Sequence, residues 1–217
     1  MKVAKIQLTM VVSAPFEENT FIARLEGRND CIVVDPGLEP DKIIAVLEEN
    51  QLTPDAILNT HGHGDHIGGN QALKQRWPAA RLVIGRAEAP KLLDPELNLS
   101  SMFGVGQISP PADELVDDND ILSVAGVELE VLAIPGHSAG HVAYLWKGGE
   151  PNMVFVGDII FQGSIGRTDF PDGNFGQLEA GIRAKLYTLP DSTVLLPGHG
   201  GPTTVGREKR SNPFVSG

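Results

Sequence analysis

Thr60-His61-Gly62-His63-Gly64-Asp65-His66 is the stretch on which the reading of this chain turns. It holds three of the six histidines in the sequence, with an aspartate among them. A polar turn rarely needs three imidazoles and a carboxylate in six positions, whereas that set is a preferred one for zinc. Gly62 and Gly64 let the backbone twist, so neighbouring side chains can face different ions. The apolar run Ala56–Asn59 reads as a strand leading in, and Ile67–Arg76 as a helix leading out. Asp65 and His66 then lie near a helix start, where the positive end of the helix dipole favours the carboxylate.

Working outward, the same arrangement recurs. Val127–Ile134 runs into Pro135-Gly136-His137, Met153–Val156 into Gly157-Asp158, and Val194–Leu196 into Pro197-Gly198-His199. Ligands of α/β sheets gather at the carboxyl ends of strands. Four strands therefore each deliver a His or Asp just past their ends. An aspartate after a buried strand needs a partner to offset its burial, and a position between two cations supplies one for Asp158. The candidate metal ligands are His61, His63, Asp65, His66, His137, Asp158 and His199. The remaining histidine, His141, begins a strand and is expected to pack behind the ligands. The lone Cys31 stands beside Ile32, Val33 and Val34 and reads as a small core residue.

Further strands are expected at Val3–Val12, Thr20–Leu25, Cys31–Val34, Arg81–Ile84 and His141–Trp146, with the last of the metal-delivering strands beginning at Thr193. Helices are expected at Pro40–Asn50, Ala87–Leu93 and Phe175–Thr188; Ile43, Ile44 and Leu47 give the first one apolar face. Strands interleaved with helices in both halves make an α/β chain. The aperiodic stretch Asp94–Asp113 reads equally as a substrate loop or as a crossover with Met102 and Phe103 packed on the core.

A 41% hydrophobic, 21% charged composition is ordinary globular usage, which sets aside disordered and fibrous classes. No apolar run approaches the roughly 18–20 residues that span a bilayer. Met1 to Val12 alternates rather than forming the solid apolar stretch of a signal peptide. The expectations are a cytoplasmic location and no membrane partner. The net charge of −11, without a basic patch, gives no support to a nucleic-acid partner. It also means that an anionic substrate must be drawn by local positive charge such as bound metal. Nothing in the sequence sets an oligomeric state.

The His-x-His-x-Asp-His element with the later Pro-Gly-His137, Gly-Asp158 and Pro-Gly-His199 resembles the metallo-β-lactamase superfamily, in order and spacing, over nearly the whole chain. The resemblance implies a four-layered αβ/βα sandwich of two mixed sheets flanked by helices. It implies one domain over residues 1–217, made of two pseudo-equivalent halves at about 1–110 and 111–217. It also implies two metal ions, with zinc expected and iron or manganese as alternatives. His61, His63 and His137 would hold one ion, Asp65, His66 and His199 the other, and Asp158 would bridge; Asp65 and Asp158 are the expected catalytic carboxylates.

Within the superfamily, Asp158 stands where β-lactamases proper often have Cys or Ser, which disfavours β-lactam hydrolysis. His63 stands where flavo-diiron oxidoreductases have Glu. The segment from Asp158 to Phe170 is similar to the glyoxalase-II-like group, in which a cation at the position of Arg167 binds a glutathione carboxylate. The group's Tyr is Asp169 here, and no counterpart of its C-terminal helical domain is expected. The ending from Pro197 to Pro202, followed by Asn212-Pro213-Phe214, resembles the short single-domain branch. The implied activity is hydrolysis of a glutathione-derived thioester of the S-D-lactoylglutathione kind by metal-activated hydroxide, with Arg167 binding substrate. Three alternatives remain: a mononuclear-iron persulfide dioxygenase sharing Gly166–Phe170 and using His61, His137 and Asp158; a lactonase or other ester hydrolase; and a non-catalytic metal-binding protein.

Overall fold

The structure is a computed structural model that describes residues 5–217. The first sheet takes its six strands in chain order: β1 (Ile6–Ser13), β2 (Glu18–Leu25), β3 (Asp30–Val34), β4 (Thr53–Asn59), β5 (Arg81–Gly85) and β6 (Glu114–Val116). Its first two pairings are antiparallel and the remaining three parallel. The expected strand from Val3 begins outside the described residues. The second sheet follows with β7 (Ile121–Val124), β8 (Val127–Ala133), β9 (Val142–Trp146) and β10 (Met153–Gly157). A small hairpin, β11 (Ile160–Phe161) and β12 (Ser164–Ile165), stands apart. The sheet is completed by β13 (Val194–Pro197) and β14 (Thr203–Thr204), in the order β14-β13-β10-β9-β8-β7. The chain leaves the first sheet at Val116 and enters the second at Ile121.

Both sheets are mixed, and their central strands, such as β3, β4, β9 and β10, are buried on both faces, as strands covered on both sides must be. Phe21, Ile32, Val34 and Leu58 meet Leu129, Tyr144, Phe155 and Leu196 between the sheets. The alternate residues Ile22, Cys31, Val33 and Ile57 face outward onto helices α1 (Pro40–Glu49) and α3 (Asn70–Arg76). On the far side Leu145, Val154 and Val156 pack against Leu178 and Ile182 and against Val205, which begins α5 (Val205–Ser211). Three apolar layers thus separate four structural ones, the αβ/βα sandwich. Each large side chain removed from water here contributes roughly 1.5–3 kcal/mol.

α1 opens with Pro at its first position, where the missing N–H costs nothing. It buries Ile43 and Leu47, one turn apart, with Ile44 at the edge of that face. The expected Ile67–Arg76 helix is two pieces, α2 (Gly64–Ile67) and α3. The cause is the pair Gly68-Gly69, which lies hard against Pro36–Leu38. A Cβ on Gly68 would sit 2.6 Å from Leu38, and the Gly69 N–H donates to Pro36 O at 2.8 Å. The expected Phe175–Thr188 helix is α4 (Phe175–Gly181) followed by a wider π turn over Ile182–Leu186. There the Tyr187 N–H reaches back five residues to Ile182 O, and the Tyr187 hydroxyl donates to Val215 O at 2.6 Å. Ala87–Leu93 falls within a 3₁₀ helix, Arg86–Leu93. Strands β6, β7, β11, β12 and β14 and helix α5 were not expected from the sequence; the strands among them are short, with at most four residues each. Among the described residues no helix is long and apolar enough to cross a membrane.

Candidate metal centre

All seven candidate ligands meet at one edge of the sandwich, between the sheets. β4 delivers His61 and His63, α2 carries Asp65 and His66, and the loops after β8, β10 and β13 bring His137, Asp158 and His199. Two tight turns make this convergence work. Gly157 has φ +50°, and a Cβ there would lie 2.2 Å from the Thr60 hydroxyl. Gly136 has φ +132°, with Asn174 O 2.5 Å from where its Cβ would be. Only glycine satisfies both the backbone and the space.

The donor atoms fall into two sets. His61, His63 and His137 offer nitrogens within 4.8 Å of one another, as do the donors of Asp65, His66 and His199. Asp158 lies between the sets. Its Oδ2 is 3.5 Å from His137 Nε2 and 3.5 Å from His199 Nε2, and its Oδ1 is 3.5 Å from His66 Nε2. Asp65 Oδ2 is 3.4 Å from His199 Nε2 and 3.8 Å from His66 Nε2.

Four of the five ligand rings, His61, His66, His137 and His199, are held from behind so that another nitrogen points inward. His66 Nδ1 lies 3.2 Å from Asp35 Oδ2, His137 Nδ1 2.8 Å from Arg167 O, and His199 Nδ1 3.0 Å from Phe16 O. Asp35 also accepts the Thr60 N–H and hydroxyl at 2.7 Å each, and the Thr60 hydroxyl lies 3.1 Å from His61 Nδ1. A hydrogen bond of this kind fixes the tautomer and leaves the opposite nitrogen's lone pair free. His141 stacks on His61 at 4.6 Å, and its Nε2 accepts the Asp158 N–H at 3.1 Å.

A metal pair fits this set on the structure's own terms. His61 Nε2, His66 Nε2 and Asp158 Oδ1 are buried without a hydrogen-bond partner, and His63 Nδ1 and His137 Nε2 face each other at 3.0 Å. Such orphaned buried groups are costly unless something satisfies them. Burial, reinforced by His66, holds His61 well below the usual imidazole range, and burial with His137 does the same to His63. Both are neutral, the form that binds metal. Burial raises the Asp158 carboxyl, but His66, His137 and His199 outweigh it and keep the group ionised.

Arg167 stands exposed at the rim, with Nε and Nη2 each 2.7 Å from a carboxylate oxygen of Asp169 and its guanidinium 4.2 Å over Phe170. Met102 and Phe103, at 66% and 56% exposure, are not packed on the core. The 94–113 stretch instead places Leu99, Phe103 and Val105 around the opening above the donors.

Sequence reading missed Asp35 and the buried group Glu88, Lys91 and Ser138. Asp35 had a visible signal, since Cys31–Val34 runs into it as Met153–Val156 runs into Gly157-Asp158. Glu88 and Lys91 sit in a 3₁₀ helix of mixed composition and carry no such signal.

A sandwich of two mixed sheets with paired His and carboxylate donor sets at one edge defines a class of metal-dependent hydrolases. The chain belongs to the metallo-β-lactamase superfamily, whose sequence profile matches residues 15–199. It is 40% identical over 204 residues to the probable metallo-hydrolase YqgX of Bacillus subtilis, covering 94% of each chain. To the hydroxyacylglutathione hydrolase GloC of Haemophilus influenzae it is 36% identical over 214 residues, covering 97% of this chain and 99% of that one. Among solved structures it is similar to the BLEG-1 B3 metallo-β-lactamase, with a TM-score of 0.92 and 35% identity over 97% of this chain and all of that one. ETHE1 from Myxococcus xanthus gives 0.80 and 29%, covering 97% of this chain and 84% of that one. TTHA1623, solved in a di-iron-bound form, gives 0.83 and 32%, covering 95% and 100%.

Proposed function

We propose that the protein hydrolyses a glutathione-derived thioester of the S-D-lactoylglutathione kind at a two-metal centre, with zinc as the expected metal and iron or manganese as alternatives. The observation that carries this reading is Asp158, one carboxylate within 3.5 Å of histidines from both donor sets. His61, His63 and His137 would hold one ion and Asp65, His66 and His199 the other, with Asp158 placed within reach of both sets. When bound, the pair supplies an activated water and a Lewis acid for the carbonyl oxygen.

The chain's own residues prepare that chemistry. Asp35, the Arg167 carbonyl and the Phe16 carbonyl hold His66, His137 and His199 in orientation. Asp65 and Asp158, as ionised carboxylates, are the groups that accept the hydrogen bonds of an attacking water and orient it. The leaving thiol is far more acidic than an alcohol, so no side chain has to protonate it. Arg167, at the pocket rim, offers its guanidinium fork to a substrate carboxylate in exchange for Asp169. The likeness to GloC over nearly the full length of both chains supports the thioester.

A second reading, a mononuclear-iron persulfide dioxygenase held by His61, His137 and Asp158, draws on the Gly166–Phe170 element. The complete second donor set favours hydrolysis over it. The likeness to a B3 metallo-β-lactamase adds β-lactams to the panel of carbonyl substrates. The test is thiol release from S-D-lactoylglutathione by zinc-loaded protein. Metal-dependent cleavage that Asp158→Ala abolishes supports the proposal, and cleavage of a β-lactam but of no thioester refutes it.

A further inference from the structure

The donor cluster opens into a cavity of about 380 Å³ whose two ends differ in chemistry. At the His63–His137 end stands Phe170, its ring 5.4 Å from His63 and 6.2 Å from His137, with the Arg167 guanidinium above it. At the His199 end the wall is aromatic and aliphatic. The Phe16 carbonyl bonds His199, the Phe161 ring lies 6.0 Å from it, and the Phe16 ring meets Phe103 edge-on at 5.0 Å. Leu38, Leu99 and Val105 also line the cavity.

Two polar residues also line the cavity, Asn98, whose amide is engaged within the loop, and Ser100, whose hydroxyl oxygen accepts there. Asn98 donates to Lys91 O and Gln107 O and accepts the Ser100 N–H, while the Ser100 hydroxyl accepts the Gln107 N–H at 2.8 Å. Apart from the metal-type donors, no charged side chain lines this end among the described residues. Yet Phe103 is 56% exposed and Val105 50%. Large apolar groups clustered in water at the mouth of a site mark a surface that binding covers.

A thioester whose carbonyl sits at the donors sends its two arms in opposite directions. If the thiol arm takes its carboxylate to Arg167, as proposed above, the acyl arm lies along the Phe16–Phe103 wall. We infer that the enzyme is selective for apolar acyl groups, aliphatic or aromatic and several carbons long, with Phe16 and Phe103 as the residues that determine this specificity. The Phe16 and Phe103 rings offer no partner to a hydroxyl on the acyl chain, which loses its water against them, a cost that an apolar chain does not meet. The inference rests on the hydrolase reading for its substrate but not for its recognition.

The test pairs a reaction with a binding measurement on the metal-loaded enzyme. Across S-acetyl-, S-butyryl- and S-hexanoylglutathione, kcat/KM rises about threefold to fourfold per added methylene, and S-D-lactoylglutathione falls below the butyryl ester. Phe103→Ser flattens that slope. The uncleavable thioethers S-methyl-, S-butyl- and S-hexylglutathione bind with Kd falling in the same order. Cleavage without a chain-length slope overturns the inference, as does a flat thioether series. A steep thioether series without cleavage of any thioester upholds the apolar wall and removes the hydrolase reading instead.

Discussion

Glu88 is bonded to the backbone of Gly62, the residue between His61 and His63, with its Oε2 accepting that N–H at 2.8 Å. Its other oxygen accepts the Gly140 N–H at 2.7 Å and the Ser138 hydroxyl at 2.5 Å, beside His137. One fully buried carboxylate thus ties together the loops that carry all three histidines of the first donor set. Lys91 stands 3.3 Å from it and continues to Asp172 at 2.5 Å. Replacing Glu88 with Ala leaves a buried ammonium short of a partner and two backbone donors unpaired. The expected loss is about 3–5 kcal/mol of stability, read by urea unfolding. Glu88→Gln keeps the shape but turns an amide donor toward a donor, so it costs less. Its expected mark is a metal affinity lower by about 10–100-fold, read by competition with a chromophoric chelator.

Asp65 belongs to the second donor set alone, whereas Asp158 lies within reach of both. Elemental analysis of protein grown with ample metal is expected to find two ions per chain. Asp65→Ala is expected to reduce that to one, and Asp158→Ala to weaken both. Removing the metals with a chelator lowers Tm, because ions that bind only the folded chain stabilise it; at a thousandfold excess over Kd the shift is worth about 4 kcal/mol. A ceiling of one metal in the unaltered protein, unchanged on adding zinc, contradicts the dinuclear centre.

Arg167 and Asp169 neutralise each other at the rim, at 58% and 69% side-chain exposure. An exposed pair of this kind is worth about 1 kcal/mol at most, so an anionic substrate arm can displace Asp169. Arg167→Ala is expected to raise KM for a glutathione thioester more than it lowers kcat. Arg167→Lys recovers part of the loss, since the charge returns without the planar fork. Asp169→Asn frees the guanidinium and lowers KM. Unchanged kinetics in both Arg167→Ala and Asp169→Asn mean that the pair serves the loop and not the substrate.

Cys31 is wholly buried on β3, and burial pushes its thiol up to about 12. The native protein is expected not to react with a disulfide reagent at pH 8 and to react at one thiol per chain once unfolded. The unfolded thiol ionises near 8.5. Unfolding therefore releases a proton between about 8.5 and 12, and stability falls as pH rises through that window, by up to about 1.4 kcal/mol per unit from this group. Comparing the unaltered chain with Cys31→Ala over that range isolates the slope.

Two patterns made the ligands legible in the sequence, the dense His61–His66 stretch and the repeated step from an apolar strand through a tight turn to His or Asp. That step holds for His61, His137, Asp158 and His199, and Asp35 follows it as well. What stayed hidden depends on contacts between distant segments. The break between α2 and α3 needs Pro36–Leu38 pressed against Gly68-Gly69. The two- to four-residue strands exist because a neighbour pairs with them; their own pattern is too short to show a period. Glu88 works across 26 residues to Gly62 and 52 to Gly140, a separation no local pattern encodes. Arg167 was legible as a cation beside the site, but its engagement with Asp169 is set by side-chain geometry.

The most direct test of the central claim, hydrolysis at a two-metal centre, uses a single enzyme preparation and two substrates. Metal-loaded protein is given S-D-lactoylglutathione or a longer acyl ester without oxygen, and thiol release is followed. The same protein loaded with iron is then given glutathione persulfide, and oxygen uptake is followed. The account predicts thioester cleavage in the absence of oxygen and no persulfide-dependent oxygen consumption. Oxygen uptake with no anaerobic cleavage of any thioester would contradict it.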